Sequence, residues 1–237
     1  MRYASVCPAV FLSRPNRFIA YADLMGTTVT CHVKNTGRCR ELLIPGTTIF
    51  LEDHSEASLK TRKTRYSVIA VLKERDGHPP LLINMDSQAP NQAAWEWVRR
   101  GGLSEYGEVS DLRREVSYGT SRFDLAFLLD GKPAFMEVKG VTLEDRGLAM
   151  FPDAPTERGV RHLTELSRAA EEGLSCFVLF VVQMKEIHHV SPNRQTHPAF
   201  ADALKAAAQA GVRILARDCI VTPDSMEVDS PVPVILN

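Results

Sequence analysis

The stretch FDLAFLLDGKPAFMEVK, Phe123 to Lys139, constrains this chain more than any other. Asp130-Gly131 separates two apolar runs, and that dipeptide is a strong signal for a two-residue hairpin turn. With those two residues as the loop, Leu129 faces Lys132, Asp124 faces Glu137, and Arg122 faces Lys139. Directly opposed residues hold their Cβ atoms roughly 4.5–5.5 Å apart. Side chains alternate along a strand, so Glu137 and Lys139 share a face. A four-residue loop keeps that face, and a three-residue loop breaks it. The strand around them, PAFMEVKGV, reads as buried, and charged groups are seldom buried unless they are paired or bind something.

Two opposed carboxylates repel unless positive charge lies between them. A hard divalent cation such as Mg²⁺ or Mn²⁺ suits that place, since it takes oxygen ligands and keeps waters. Asp124 and Glu137 are therefore the candidate metal ligands. Lys139 is placed to steady or deprotonate an attacking water, or to neutralise charge on a phosphate in its transition state. The chemistry this supports is metal-assisted hydrolysis of a phosphodiester. The competing reading is an Asp-Glu-Lys-Arg ion network on a half-exposed sheet face. The E-x-K spacing is a weak signal by itself, and Asp130-Gly131-Lys132 fits D-x-K while being only a turn.

Upstream, residues 1–85 read as all-β. FIAYADL, TTVTCHV, TTIFLED and RYSVIAVLKE are short β-rich runs separated by the turn signals SRPN, MG, KNTG, IPG and RDG. Such spacing implies a small barrel or sandwich. Residues 86–237 change pattern. NQAAWEWVRRG reads as a helix ended by glycines, followed by strands in RREVSYG, RFDLAFLL and PAFMEVKGVTL. Thr156 can cap a helix over ERGVRHLTELSRAAEEG. Its apolar stripe is Val160, Leu163, Leu166 and Ala170, and its polar stripe is Arg158, Arg161, His162, Glu165 and Arg168. The strand CFVLFVVQM, the helix AFADALKAAAQAG and the strand VRILARDCIV complete an α/β domain with a mixed sheet.

Among 237 residues the net charge is −1, so no global field pulls the chain toward nucleic acid. Positive charge is local, as in KTRKTR, Lys60 to Arg65. The five cysteines form no C-x-x-C pair, which argues against structural zinc and a disulfide framework and leaves them as small apolar residues. No apolar run is long enough to span a membrane, and Pro and Arg break the N-terminus too early for a signal peptide. A cytoplasmic location is expected.

Asp124, Glu137, Val138 and Lys139 resemble the PD-(D/E)xK nuclease core, although SRFD lacks the proline before the aspartate. Over nearly the whole chain, FLSRPNRF, HVKNTGRCRELLIPG, REVSYGTSRFD, MEVKGVTL and FPDAPTERGVRHLTEL resemble the sugar fermentation stimulation protein (SfsA) family. The resemblance implies an α+β chain of two domains, an N-terminal OB-like barrel and a C-terminal PD-(D/E)xK nuclease-like α/β domain. It also implies DNA binding, a role in sugar (maltose) metabolism, and nuclease activity in some members.

The expected partners are DNA or RNA, and the reading allows a homodimer. The nucleic-acid contacts expected on the barrel are Arg14, Arg17, Phe18, Asn35 and Arg38. On the second domain they are Arg122, Arg158 and His162. Turn chemistry explains Asn35-Thr36-Gly37 equally well, through Asn and Gly at positive φ. The alternative function is a non-catalytic DNA-binding regulator that keeps the nuclease fold as a scaffold, and a protein-interaction module is a third.

Overall fold

The computed structural model describes residues 1–35, 37, 39–54 and 62–236. Strands β1 (Val6–Asn16), β2 (Ile19–Leu24), β3 (Thr27–Val33), β4 (Thr48–Asp53), β5 (Tyr66–Arg75) and β6 (His78–Asn84) make one sheet in the order β3-β2-β1-β4-β5-β6. A further parallel pairing of β3 with β5, Cys31 opposite Tyr66, closes it into a barrel. Alternation builds the interior: on β1, Ala9 and Phe11 are buried while Val10 and Leu12 are exposed. Ala20, Ala22, Ile49, Leu51, Val68 and Ile83 fill the same core.

Two of these strands escape the sequence patterns, and the reason is proline. SRPN was expected as a turn, yet Ser13 to Asn16 end β1, whose register against β2 shifts between Phe11 and Ser13 and again before Asn16. Proline is tolerated in strands at such irregularities. β6 likewise opens on His78-Pro79-Pro80.

The second half begins with α1 (Ala89–Arg99), then β7 (Val109–Tyr118), β8 (Ser121–Leu129) and β9 (Lys132–Val141). A small hairpin, β10 (Leu143–Asp145) and β11 (Leu148–Phe151), pairs with β13 (His189–Pro192). Between them lie α2 (Glu157–Glu171) and β12 (Ser175–Val182); α3 (Pro198–Gln209), β14 (Arg213–Thr222) and β15 (Ser225–Pro231) follow. The main sheet runs β15-β14-β12-β9-β8-β7. β9, β12 and β14 are parallel and the outer pairings are antiparallel, so the sheet is mixed, as expected.

β12 shows why the run CFVLFVV carries no polar alternation: both faces are covered. Phe177, Leu179 and Val181 meet Ala94, Trp97 and Val98 of α1. Val178, Phe180 and Val182 join Leu163 and Leu166 of α2 and Phe200 and Leu204 of α3. The core on the α2 side is continuous with the barrel core.

Polar contacts also join the halves. Gln183, just past β12, donates Nε2 to the Asn84 carbonyl (3.0 Å), to Asn84 Oδ1 (3.0 Å) and to the Asp86 carbonyl (3.2 Å). Lys34 donates to Asp86 at 2.6 Å and to Glu52 at 3.2 Å. Lys73 of β5 donates to the buried Glu144 of β10 at 2.5 Å. No helix among the described residues is long and apolar enough to cross a membrane.

Candidate functional site

The hairpin forms as its sequence demands. Asp130 and Gly131 both take positive φ, +49° and +75°, and Leu129 pairs with Lys132. The ladder continues to Leu125 opposite Met136 and stops there. One step further, where the sequence register opposes Asp124 to Glu137, no ladder pair forms. The Asp124 side chain takes the ladder's place: its Oδ2 accepts from the Val138 backbone N–H at 2.8 Å. Its Oδ1 accepts from Asn91 Nδ2 of α1 at 2.7 Å. Asp124 is thus held just past the end of the β8–β9 ladder, tied to strand and helix together.

Glu137 lies 2% exposed in the middle of β9. Its Oε1 accepts from Lys139 Nζ and from His162 Nδ1, the latter at 2.5 Å. Its Oε2 is buried and has no partner among the described residues. A buried carboxylate oxygen without a donor is costly, so something must satisfy it. Burial would raise the Glu137 carboxyl, but the Lys139 ammonium and the His162 hydrogen bond outweigh burial and hold it below the usual range. Asp124 moves the other way: burial first, then the Glu137 charge, raise it against Lys139, Val138 N–H and Asn91. Two carboxyls pushed apart in this way, beside one ammonium, make this the candidate site.

His162 departs from the expected polar stripe. The buried face of α2 is Gly159, His162, Leu163, Leu166 and Ala169, with Val160 and Ala170 at its margin. Thr156 caps the helix as expected, accepting from the Gly159 N–H at 3.0 Å. Arg158 Nε donates to His162 Nε2 at 3.3 Å, so the other ring nitrogen, Nδ1, carries the proton given to Glu137. The imidazole lies between an exposed arginine and the buried glutamate. Its nearness to Glu137 has no signature in the sequence.

The remaining expected residues scatter. Arg122, on the outer end of β8, ion-pairs with Glu115, and both are more than half exposed. Arg14 Nη2 donates to the carbonyls of Arg17 (2.7 Å) and Asn35 (2.9 Å). The Arg17 guanidinium lies 4.8 Å from the centre of the Phe18 ring, and Phe18 is 44% exposed. Arg38 lies outside the described residues. Among the described residues of the turn at Asn35, Cys39 takes positive φ, +44°. Gly37 is required by close approach, since a Cβ on it would meet Asp153 Oδ2 at 1.8 Å.

Two groups near the site were not singled out from the sequence. Asn91 opens the expected helix, and a carboxamide in a first helical turn is an ordinary residue there. Gln183 ends an otherwise apolar strand, which was the available signal. It lines a cavity of ≈ 100 Å³ with Asn35, Ser87, Gly140 and Asp153, beside the strand that carries Lys139.

The residues able to hold a cation are Asp124 and Glu137. Among the described residues no three His, Cys, Asp or Glu side chains converge into a closed cage. Two carboxylates with an unsatisfied oxygen suit a hard ion that keeps its waters better than one needing a full protein shell.

The family described as "SfsA N-terminal OB domain" matches residues 12–79, and the one described as "Sugar fermentation stimulation protein RE domain" matches residues 88–225. A sugar fermentation stimulation protein homolog of Desulfitobacterium hafniense (strain Y51) is 50% identical over 236 residues, covering 100% of this chain and 99% of the relative. One from Clostridium beijerinckii is 47% identical, covering 100% of both. The solved structure of Pyrococcus furiosus SfsA in complex with Ca²⁺ superimposes with a TM-score of 0.85 at 26% identity, covering 99% of this chain and 98% of that one. With both halves matched in order and the fold shared end to end, this chain belongs to the sugar fermentation stimulation protein family.

Proposed function

We propose that this protein is a DNA-binding, divalent-metal-dependent phosphodiesterase, with its barrel in residues 1–85 and its nuclease-like domain in residues 86–237. The observation that carries the reading is the buried, unpartnered Oε2 of Glu137 beside a second carboxylate and an ammonium. Asp124 and Glu137 are the residues that would hold Mg²⁺ or Mn²⁺. When bound, such an ion supplies Lewis acidity and a nucleophilic water at neutral pH. That the Pyrococcus furiosus relative was solved with Ca²⁺, a cation of the same oxygen-seeking kind, supports the choice.

The chain's own residues have separable tasks. Lys139 offers Nζ protons to the attacking water or to a non-bridging phosphate oxygen, where charge grows in the transition state. His162 fixes the rotamer of Glu137 from behind, and Arg158 fixes His162. Asn91 and the Val138 N–H do the same for Asp124. Arg158, which donates to His162 beside Glu137, would meet a backbone phosphate.

Titration with Mn²⁺ tests the site without requiring turnover. The wild type binds the ion, and Glu137→Ala loses it. Equal binding by both would place any metal elsewhere.

The relatives' names, which speak of stimulating sugar fermentation, accord with a second reading, in which a DNA-binding regulator keeps the nuclease-like fold as a scaffold. On that reading the Lys139–Glu137–His162 contacts are a structural ion network, and DNA binding persists without cleavage.

A further inference from the structure

Where the β1–β2 turn meets the segment entering β5, Phe18, Ile19, His32, Arg62, Lys63 and Thr64 line an open groove of ≈ 370 Å³. Small-ligand sites commonly offer about 300–1,000 Å³. The floor follows from register: Ile19 pairs with His32, and His32 pairs on its other side with Ser67. The groove therefore lies over the seam that closes the barrel.

Its walls are an aromatic and cations. Phe18 is fixed by its turn, for Asn16 Oδ1 accepts from the N–H groups of Phe18 (2.9 Å) and Ile19 (3.1 Å). Arg17 covers part of its ring. Arg62 donates Nη2 to Ser67 Oγ at 2.8 Å, while its Nε is buried with no partner among the described residues. None of the six lining side chains is acidic. His32 is held below its usual range by burial first and then by Arg62 and Lys34. It is thus a neutral, flat part of the floor at neutral pH.

We infer that this groove takes one unpaired base of a single-stranded nucleic acid, stacked on Phe18, with its flanking phosphates on Arg17, Arg62 and Lys63. An exposed ring among cations is the arrangement that grips single strands without reading sequence. A duplex keeps its bases stacked on one another and cannot offer a face to Phe18. A chain of contacts leads from the groove to the hairpin site: Arg14 ties the carbonyls of Arg17 and Asn35 together, and Asn35 shares a cavity with Gly140, the residue after Lys139. The inference rests on the DNA-binding reading above and names the strand form it engages.

The test is fluorescence anisotropy of labelled deca-thymidine and of a duplex of equal length. The full chain is used, in EDTA, which removes any cleavage. The wild type is expected to bind the single strand more tightly than the duplex. Phe18→Ala should lose about 10-fold or more in affinity for the single strand and change the duplex little. Phe18→Trp should restore binding, and Arg62→Ala should weaken it while lowering the salt slope by about one. Met25→Ala, fully exposed in another turn of the barrel, is the control. Single-strand binding unaffected by Phe18→Ala and Arg62→Ala overturns the inference, as does equal loss on the duplex. A protein that cuts DNA yet ignores Phe18 would keep the proposed activity and lose this groove. One that never cuts but needs Phe18 for deca-thymidine would do the reverse.

Discussion

At the scale of residues, the account turns on how Glu137 and Asp124 are held. Partners of metal-binding carboxylates usually matter within about 10–100-fold in metal affinity or activity. Asn91→Ala should therefore weaken Mn²⁺ binding by about that factor while leaving the fold intact, since Asn91 contributes one hydrogen bond at 2.7 Å from a half-buried helix end. Unchanged affinity would remove Asn91 from the site. His162→Ala, read the same way, frees Glu137 Oε1 from one donor and should cost more, because His162 is itself buried. The cysteines behave as their composition implied. All five are free, and burial pushes the thiols of Cys31, Cys39 and Cys176 up to about 12, so they are poor nucleophiles at neutral pH.

At the scale of elements, two joints carry testable energy. Gly140 admits no side chain: a Cβ there would meet Gln183 Oε1 at 2.5 Å and Pro90 Cγ at 2.6 Å. Gly140→Ala should destabilise the protein by about 1–3 kcal/mol through overpacking, measured by urea denaturation. Lys73 and Glu144 join the barrel to the small hairpin. Burial would raise Glu144, but the Lys73 hydrogen bond and the Gly147 N–H outweigh it and depress its carboxyl. A depressed carboxyl contributes stability that is full above its unfolded value of about 4.3 and fades as pH falls through its lower folded value. Lys73→Met should thus cost about 3–5 kcal/mol at pH 7, and that deficit should shrink under acid. A deficit independent of pH would mean that packing, not charge, is what Lys73 supplies.

The elements also mark where sequence reading succeeds. The turn at Asp130-Gly131, the cap at Thr156 and the limits of β3 rest on local chemistry, and all are present. β1 and β6 rest on strand pairings that tolerate proline, which no local pattern announces. The opening of the ladder at Leu125 and Met136 and the turn of His162 toward Glu137 depend on α1 and α2 docking on opposite faces of the sheet. Those are long-range outcomes of packing, so the sequence put Asp124 and Glu137 on one hairpin but showed neither the end of the ladder before them nor the groups that hold them.

At the scale of the whole molecule, the barrel and the mixed-sheet half share a continuous apolar core and the Asn84–Gln183 contacts. Unfolding should accordingly be one cooperative event. Both tryptophans, Trp95 and Trp97, lie in α1, so their fluorescence reports the second half, while far-UV circular dichroism reports both. The two probes should give one midpoint, and separated midpoints would mean that the halves melt independently. The function proposed at this scale is the cutting of a nucleic acid held across both halves. The most direct measurement is cleavage of labelled single- and double-stranded DNA and RNA by purified protein with EDTA, Mg²⁺ or Mn²⁺, beside Lys139→Ala. The account predicts cutting that requires the metal and vanishes in the variant. Binding without cutting, equal in both proteins, would contradict it and leave the acidic hairpin as a scaffold of a regulator.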